Sequence, residues 1–407
     1  MDNFKRLGII QPILRAIEEE RFEKPTEIQE RSIPLVLAGK DVIAGSATGS
    51  GKTLVFGSGI IQNISDRNGI QSLIMTPTRE LAQQVSKALK TFSKYKPISV
   101  ACVYGGVSIN PQIQALRTAD VVVGTPGRIL DHINRKTIYL GKVKILVLDE
   151  ADRMLDMGFV DDVERIIRQC PNERQTLLFS ATITYEVDRL SKRYMRRPVK
   201  VSAELHVDPS KLSQVYYDVQ DDMKFSLLVH LLKHEDADLV LVFCNTRRNT
   251  DFVEKNLKLN GVNALAIHGG FSQDKRNRAM NDFHSKNINV LVCTDVAARG
   301  LDIGGVSHVY NYDIPKESKD YIHRIGRTAR AGKGGKAINI LAKRDWDHFA
   351  RVIRENELDI SKENTPPIKR VKIGWKEKPR SRSFHNARPH HGRPGRRPAR
   401  RFGANRR

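Results

Sequence analysis

Long apolar runs are missing from this 407-residue chain. No uninterrupted apolar stretch reaches the roughly 18–20 residues a bilayer-spanning helix needs, so no membrane segment is predicted. Cysteine is scarce: Cys102, Cys170, Cys244 and Cys293 are the full set, and no two form a Cys-x-x-Cys pair. Three of them sit in apolar runs, which argues for buried reduced thiols over a zinc site or a disulfide framework. The first residues, Met-Asp-Asn-Phe-Lys-Arg followed by an amphipathic stretch, do not read as a secretion signal. The expectation is a soluble, cytoplasmic protein.

Acidic residues are nearly lacking from the last tenth of the chain. Residues 369–407 hold 15 Lys/Arg and one acid, Glu377, and so carry +14 of the net +23. Such a field favours a polyanionic partner, with RNA or DNA as the obvious candidate. Apart from Val371 and Ile373 this tail has few aliphatic side chains to offset chain entropy. It reads as disordered past about residue 375.

What the chain does contain is strand–helix alternation, twice over. Forty percent of residues are hydrophobic, ample for buried cores, and at roughly 150 residues per domain the length suggests two. Short apolar runs near 41–44, 72–76, 121–123, 145–148 and 176–179 read as strands buried on both faces. Between them, 80–92 and 160–169 have helical spacing. A polar stretch follows, containing Asp208, Pro209 and Ser210, and then a second set of strands at 239–243, 263–267, 290–293, 306–310 and 337–341. The prediction is an α/β protein with two tandem parallel-sheet domains: 1–205, a linker at 206–213, 214–360, and a basic tail at 361–407.

Two motifs in the first domain carry chemistry. Ser46, Ala47, Thr48, Gly49, Ser50, Gly51, Lys52 and Thr53 follow a strand and precede a segment that can be a helix. Small residues there let backbone N–H groups wrap a phosphate; Lys52 can reach the outer phosphates and Thr53 can hold Mg²⁺. The strict pattern has Gly where this chain has Ser46. The strand 145–148 runs into Asp149 and Glu150. In an ATPase that pair can hold Mg²⁺ through Asp149 and orient the attacking water through Glu150. Alone, it would be a helix N-cap.

With Ala151 and Asp152 completing the box, the chain resembles the DEAD-box RNA helicases of helicase superfamily 2 over about residues 3–355. The resemblance implies two RecA-like domains that close on ATP, Mg²⁺ and single-stranded RNA. Phe22, Thr26 and Gln29 match the family's Q motif, in which Gln29 would read the adenine edge and Phe22 would stack near the ring; Phe4 matches its isolated upstream aromatic. Pro77, Thr78, Arg79, Gly105, Gly106, Thr125, Pro126, Gly127 and Arg128 match motifs that hold the RNA backbone. Ser180 and Thr182 match the motif coupling hydrolysis to strand separation. In the second domain, Asn245, Thr246, Gln273, Arg276, Thr294 and Gly300 match motifs that bind RNA or organise the cleft. Asp302 would bond the ribose, Arg327 and Arg330 would act as arginine fingers, and His323 would link the cleft to Ser180 and Thr182. The family usually has Gly where this chain has Arg21 and Ala329.

The resemblance implies an ATP-dependent RNA helicase in which RNA-stimulated ATP hydrolysis drives local duplex unwinding. Its catalytic residues would be Lys52, Asp149, Glu150, Arg327 and Arg330, and its tail would tether RNA without sequence preference. Two other readings are an RNA-binding or annealing chaperone that works through the tail, and a DNA helicase of the same superfamily.

Overall fold

The computed structural model describes residues 2–45, 50–65, 68–202, 212–298, 306–329 and 334–374. Two seven-stranded sheets, parallel throughout, account for the two runs of alternation. The first is built from β1 (Val42–Gly45), β2 (Ser72–Met75), β3 (Val100–Val103), β4 (Val121–Gly124), β5 (Ile145–Leu148), β6 (Gln175–Ser180) and β7 (Val199–Ser202). Their spatial order is β3-β4-β2-β5-β6-β1-β7. The second uses β8 (Leu212–Asp218), β9 (Leu239–Phe243), β10 (Ala264–Ile267), β11 (Val290–Cys293), β12 (Val306–Asn311), β13 (Gly335–Leu341) and β14 (Ser361–Lys362), ordered β10-β11-β9-β12-β13-β8-β14.

The continuous apolar runs follow from helices on both faces. On β5, Ile145 and Val147 join one buried cluster while Leu146 and Leu148 join the cluster on the opposite face. β6 repeats this, with Leu177 and Phe179 on the first face and Leu178 on the second. β1, β5 and β6 are neighbours in the sheet, so their C-terminal ends bring Gly45, Asp149 and Ser180 to one edge. Ligands of open α/β sheets gather at that edge.

Four strands escape the apolar-run reading. β3 and β7 are half-buried edges, β14 is two exposed residues, and β8 alternates buried Leu212, Val215 and Tyr217 with polar neighbours. Leu212 and Ser213, assigned to the linker, belong to β8; the rest of that linker lies outside the described residues. Residues 361–374, assigned to the tail, are seated on the second lobe. Ser361 and Lys362 pair with β8, Ile368 and Val371 pack against its apolar cluster, and Val371 N–H donates to Ser226 Oγ at 3.2 Å. The remaining tail lies outside the described residues. Among the described residues no helix is long and apolar enough to cross a membrane, and the four cysteines are unpaired.

Candidate active site and interlobe cleft

Gly51 caps the helix Lys52–Asn63 with φ 86°, a left-handed conformation that favours glycine. A Cβ there would also collide with the Gln29 amide. Lys52 is thereby fixed at the first helical position, where unbonded N–H groups face whatever lies beyond β1. Its side chain is buried, with Nζ 3.4 Å from Asp149 Oδ1. Burial pushes the Asp149 carboxyl above its ordinary pKa, against the opposing charge of Lys52. Oδ1 of Asp149 accepts no hydrogen bond among the described residues. A buried carboxylate whose Oδ1 faces only the Lys52 ammonium, with Thr53 next to Lys52 at the helix start, is a donor set that fits a divalent cation beside phosphate. Ser46, Ala47, Thr48 and Gly49 lie outside the described residues.

Glu150 has φ 53° and ψ 51°, and makes no side-chain cap to the helix Ala151–Asp156 that it opens. The helix-cap reading of the acidic pair therefore fails. Its carboxylate is instead held by Arg153, Nη1 to Oε2 at 3.0 Å, with both side chains buried. Asp152 turns the other way. Its Oδ2 accepts from both the backbone N–H and the hydroxyl of Thr182, each at 2.9 Å, and its own N–H donates to Ser180 Oγ at 3.2 Å. Ser180 Oγ in turn donates to Thr182 O at 2.8 Å. The box and the Ser-Ala-Thr turn are thus one hydrogen-bonded unit.

The segment upstream braces the phosphate loop. Thr26 is the N-cap of the helix Glu27–Leu37, and the Gln29 side chain reaches back to its N–H. Gln29 Oε1 accepts from Thr26 N–H at 2.9 Å, while Nε2 donates to Gly51 O at 3.0 Å; Thr26 Oγ1 donates to Ser50 O at 2.8 Å. Phe22 is part-exposed, edge-on to Phe92 with ring centroids 6.2 Å apart. Phe4 is wholly buried in the core.

Pro77 and Thr78 follow β2, and Thr78 caps the helix Arg79–Phe92. Arg79 lies against the Gly105–Gly106 turn, where a Cβ on Gly106 (φ 81°) would meet its guanidinium. Thr125 and Pro126 open the helix Pro126–Asn134, Gly127 borders open space, and Arg128 Nη2 donates to Val107 O at 3.0 Å. Of these residues Gly106 and Gly127 are exposed, Arg79, Gly105, Thr125 and Arg128 are half-buried, and Pro77, Thr78 and Pro126 are buried. Glu80 does something its sequence position did not reveal. It is buried and accepts from two residues of the other lobe: Arg276 Nη1 at 2.7 Å and Gln273 Nε2 at 3.0 Å. Gln273 and Arg276, expected among RNA ligands, direct these donors to Glu80 across the cleft. Lys319 and Asp156 form a second, more exposed cross-lobe pair at 2.5 Å.

The second lobe is organised by a residue the sequence reading passed over. Arg324 is fully buried and donates in a fork to Asp295, at 2.6 and 2.7 Å. It also reaches Asn311 Oδ1 at 3.0 Å, Asp313 O at 2.6 Å and Asn245 Oδ1 at 2.9 Å. Asn245 gives its amide to Ile314 O at 2.8 Å, so its side chain, expected to bind RNA or organise the cleft, makes these two bonds within the lobe. Thr246 caps the helix Arg247–Leu259. Arg327 and Thr294 are buried, and His323 lies on the helix Ser318–Ile325. Gly300, Asp302 and Arg330 lie outside the described residues.

Arg21 and Ala329, the two departures from the family's glycines, both have left-handed backbone, φ 58° and 54°. Arg21 closes the helix Gln11–Glu19 as a Schellman turn: Phe22 N–H donates to Ile17 O at 3.2 Å and Arg21 N–H to Glu18 O at 3.0 Å. Both turns are kept at the cost of strain, about 1–2 kcal/mol for a Cβ in this region. Arg21→Gly and Ala329→Gly are each expected to raise stability by up to about 1 kcal/mol, part of the relief being returned through unfolded-chain entropy. Urea denaturation checks this, and a midpoint shift to lower urea would contradict it.

Two parallel-sheet lobes bridged by Glu80–Arg276 and Asp156–Lys319, the first carrying Lys52 at a helix start beside paired carboxylates at a strand end, define a RecA-like nucleotide hydrolase. Residues 26–190 match the family model "DEAD/DEAH box helicase", and residues 223–332 match "Helicase conserved C-terminal domain". The chain is 46% identical over 354 residues to the ATP-dependent RNA helicase CshA of Limosilactobacillus reuteri, covering 86% of this chain and 71% of that protein. Saccharomyces cerevisiae Dbp5 bound to RNA and ADP BeF3 superposes with a TM-score of 0.82 at 32% identity, over 90% of this chain and 96% of that one. A variant of Dbp5 bound to nup159, gle1, ip6 and adp scores 0.63 at 31% identity, over 87% and 95%. The chain belongs to the DEAD-box family of ATP-dependent RNA helicases. With near-equal identity in the two comparisons, the higher score marks a lobe arrangement nearer to the RNA-bound one.

Proposed function

We propose that the chain hydrolyses ATP in the cleft and couples closure of its lobes to local separation of RNA duplexes. The observation that carries this is the run Asp149–Asp152, paired to Lys52 at one end and hydrogen-bonded to Ser180 and Thr182 at the other, in a lobe joined to its neighbour through Glu80 and Arg276. Lys52 and the first-turn N–H groups hold the phosphates. Thr53 and Asp149 hold Mg²⁺, which when bound neutralises phosphate charge. Glu150, fixed in direction by Arg153, orients the attacking water. Arg327, joined by Arg330, meets charge that develops on the outer phosphate as the lobes close. Gln29 reads adenine with the amide valence not taken by Thr26 and Gly51, and Phe22 borders the ring. Asp302 takes the ribose hydroxyls.

RNA lies across both lobes, its phosphates approaching Thr78, Gly105, Gly106, Thr125 and Gly127, with Arg79 and Arg128 adding charge and Thr294 and Gly300 completing the track. The basic tail tethers flanking RNA, and the protein works in the cytoplasm. Similarity to proteins named as RNA helicases, and to Dbp5 bound to RNA, supports RNA over DNA as the strand held. ATP turnover measured with and without RNA tests the reading. Stimulation by RNA and not by the matched DNA is expected, and equal stimulation by both would overturn it. An annealing chaperone acting through its tail would keep its remodelling in Lys52→Ala; a helicase loses it.

Closure supplies a sharper prediction. Glu80 forms its charge-assisted bonds to Arg276 and Gln273 only when the lobes meet, and such bonds contribute about 1.5–3 kcal/mol. Glu80→Gln is therefore expected to lower RNA-stimulated kcat/KM by about tenfold or more, while affinity for nucleotide without RNA stays unchanged. RNA titrations of turnover read the first quantity and a fluorescent ATP analogue the second.

A further inference from the structure

At the opposite end of the first sheet from Gly45 and Asp149, the turns entering β5, β6, β1 and β7 surround a cavity of about 390 Å³. These strands are neighbours, so loops remote in sequence converge there. Lys40 precedes β1, Lys144 precedes β5, Arg174 precedes β6, and Arg196 and Arg197 precede β7; all five line the cavity. Two carboxylates share the wall, Asp41 and Glu173. Asp41 is committed to the fold, accepting from Thr176 N–H at 2.8 Å and Arg196 N–H at 2.7 Å. Among the described residues, none of the five cations forms an ion pair.

Arg174 shows how that charge is held. Its Nη1 donates to Pro171 O at 2.6 Å, and its Nε meets no acceptor among the described residues. Carbonyls fix the guanidinium in place without neutralising it, and burial pulls its pKa below the ordinary range. Arg197 has φ 45°, a strained left-handed conformation, and both it and Arg196 line the cavity. An excess of three positive charges around one concavity, with none of the five cations ion-paired among the described residues, calls for an anion of several charges.

We propose that this cavity is a binding site for a compact oligophosphate, separate from the ATP cleft. Four loops ring a depression here, which suits a short chain of phosphates; an RNA strand would need a track of cations along the surface. The site lies at the far ends of the strands that carry the phosphate loop, the acidic box and the Ser-Ala-Thr turn, so its ligand cannot be the nucleotide being hydrolysed.

Hydrogen exchange on the full chain, saturated with a non-hydrolysable ATP analogue and Mg²⁺, tests this with inorganic tripolyphosphate as the probe. Amides at 39–41, 172–176 and 194–198 are expected to exchange several-fold more slowly with the probe. The protection should vanish in Lys40→Ala/Lys144→Ala/Arg197→Ala and weaken in Lys144→Ala alone, both with unaltered ATP turnover. Protection confined to 46–53 or to 375–407 would overturn the proposal, as would protection that survives the triple substitution. Protection by a twelve-nucleotide RNA but not by tripolyphosphate would assign the cavity to RNA and overturn the compact ligand.

Discussion

Arg324→Ala is expected to destabilise the second lobe by about 3–5 kcal/mol, the usual cost of removing one partner from a buried ion pair. Arg324 is 1% exposed and Asp295 19%, so solvent screens the pair little. The substitution takes the two-bond fork away from the Asp295 carboxylate and removes a donor from each of Asn245, Asn311 and the Asp313 carbonyl. Burial lowers the Arg324 pKa, but the charge and hydrogen bonds of Asp295 outweigh it and the guanidinium ends above its ordinary range. A domain's whole stability is about 5–15 kcal/mol, so a loss of this size leaves the lobe partly unfolded at 37 °C. Both tryptophans, Trp346 and Trp375, lie C-terminal to residue 340, so tryptophan fluorescence in a urea titration reports this half of the molecule. Trp346 packs edge-on against Tyr216 and Phe349. Arg324→Lys should recover only part of the loss, because an ammonium cannot reproduce the fork to Asp295 or span three further acceptors. A midpoint change worth less than about 1 kcal/mol in Arg324→Ala would refute the hub.

That hub marks the limit of what the sequence discloses. Runs such as Ile145–Leu148 and Leu239–Phe243 were legible because a strand buried on both faces must be continuously apolar. β8 was not, since Leu212 and Ser213 read as the end of a polar linker, and the mix of Val215 and Tyr217 with Gln214 and Asp218 gives no apolar run until β13 is laid beside it. Ser361 and Lys362 carry no strand signal at all; their pairing depends on β8 offering an open edge. At the site, Lys52 and Asp149 could be paired from spacing and chemistry. Glu80 could not be joined to Arg276, nor Arg324 to Asn245, because those partners are 196 and 79 positions apart and meet only through the fold. The glycine departures at Arg21 and Ala329 were visible as departures, but their left-handed φ, and hence their strain, were not.

Replacing Glu150 by Gln is expected to reduce RNA-stimulated ATP turnover by about 10²–10⁴-fold, the contribution typical of a positioned proton acceptor. At about 1.36 kcal/mol per decade this is roughly 3–5 kcal/mol of barrier, far beyond what rearranged binding alone supplies. The side chain keeps its length and its place at the end of β5, so Lys52, Thr53 and Asp149 are undisturbed and nucleotide affinity should change only a few-fold. A second effect accompanies the first. Arg153 is buried against Glu150, and a neutral Gln leaves its charge uncompensated, which lowers stability. The two effects separate experimentally, since lost stability moves the thermal midpoint whereas lost water orientation moves kcat in protein that is still folded. Turnover measured well below that midpoint, with folding verified by far-UV circular dichroism, isolates the chemical step. If turnover then stays within about fivefold of the unsubstituted chain, Glu150 is only the counter-ion of Arg153. The attacking water must in that case be oriented by another group at the edge where β1, β5 and β6 end.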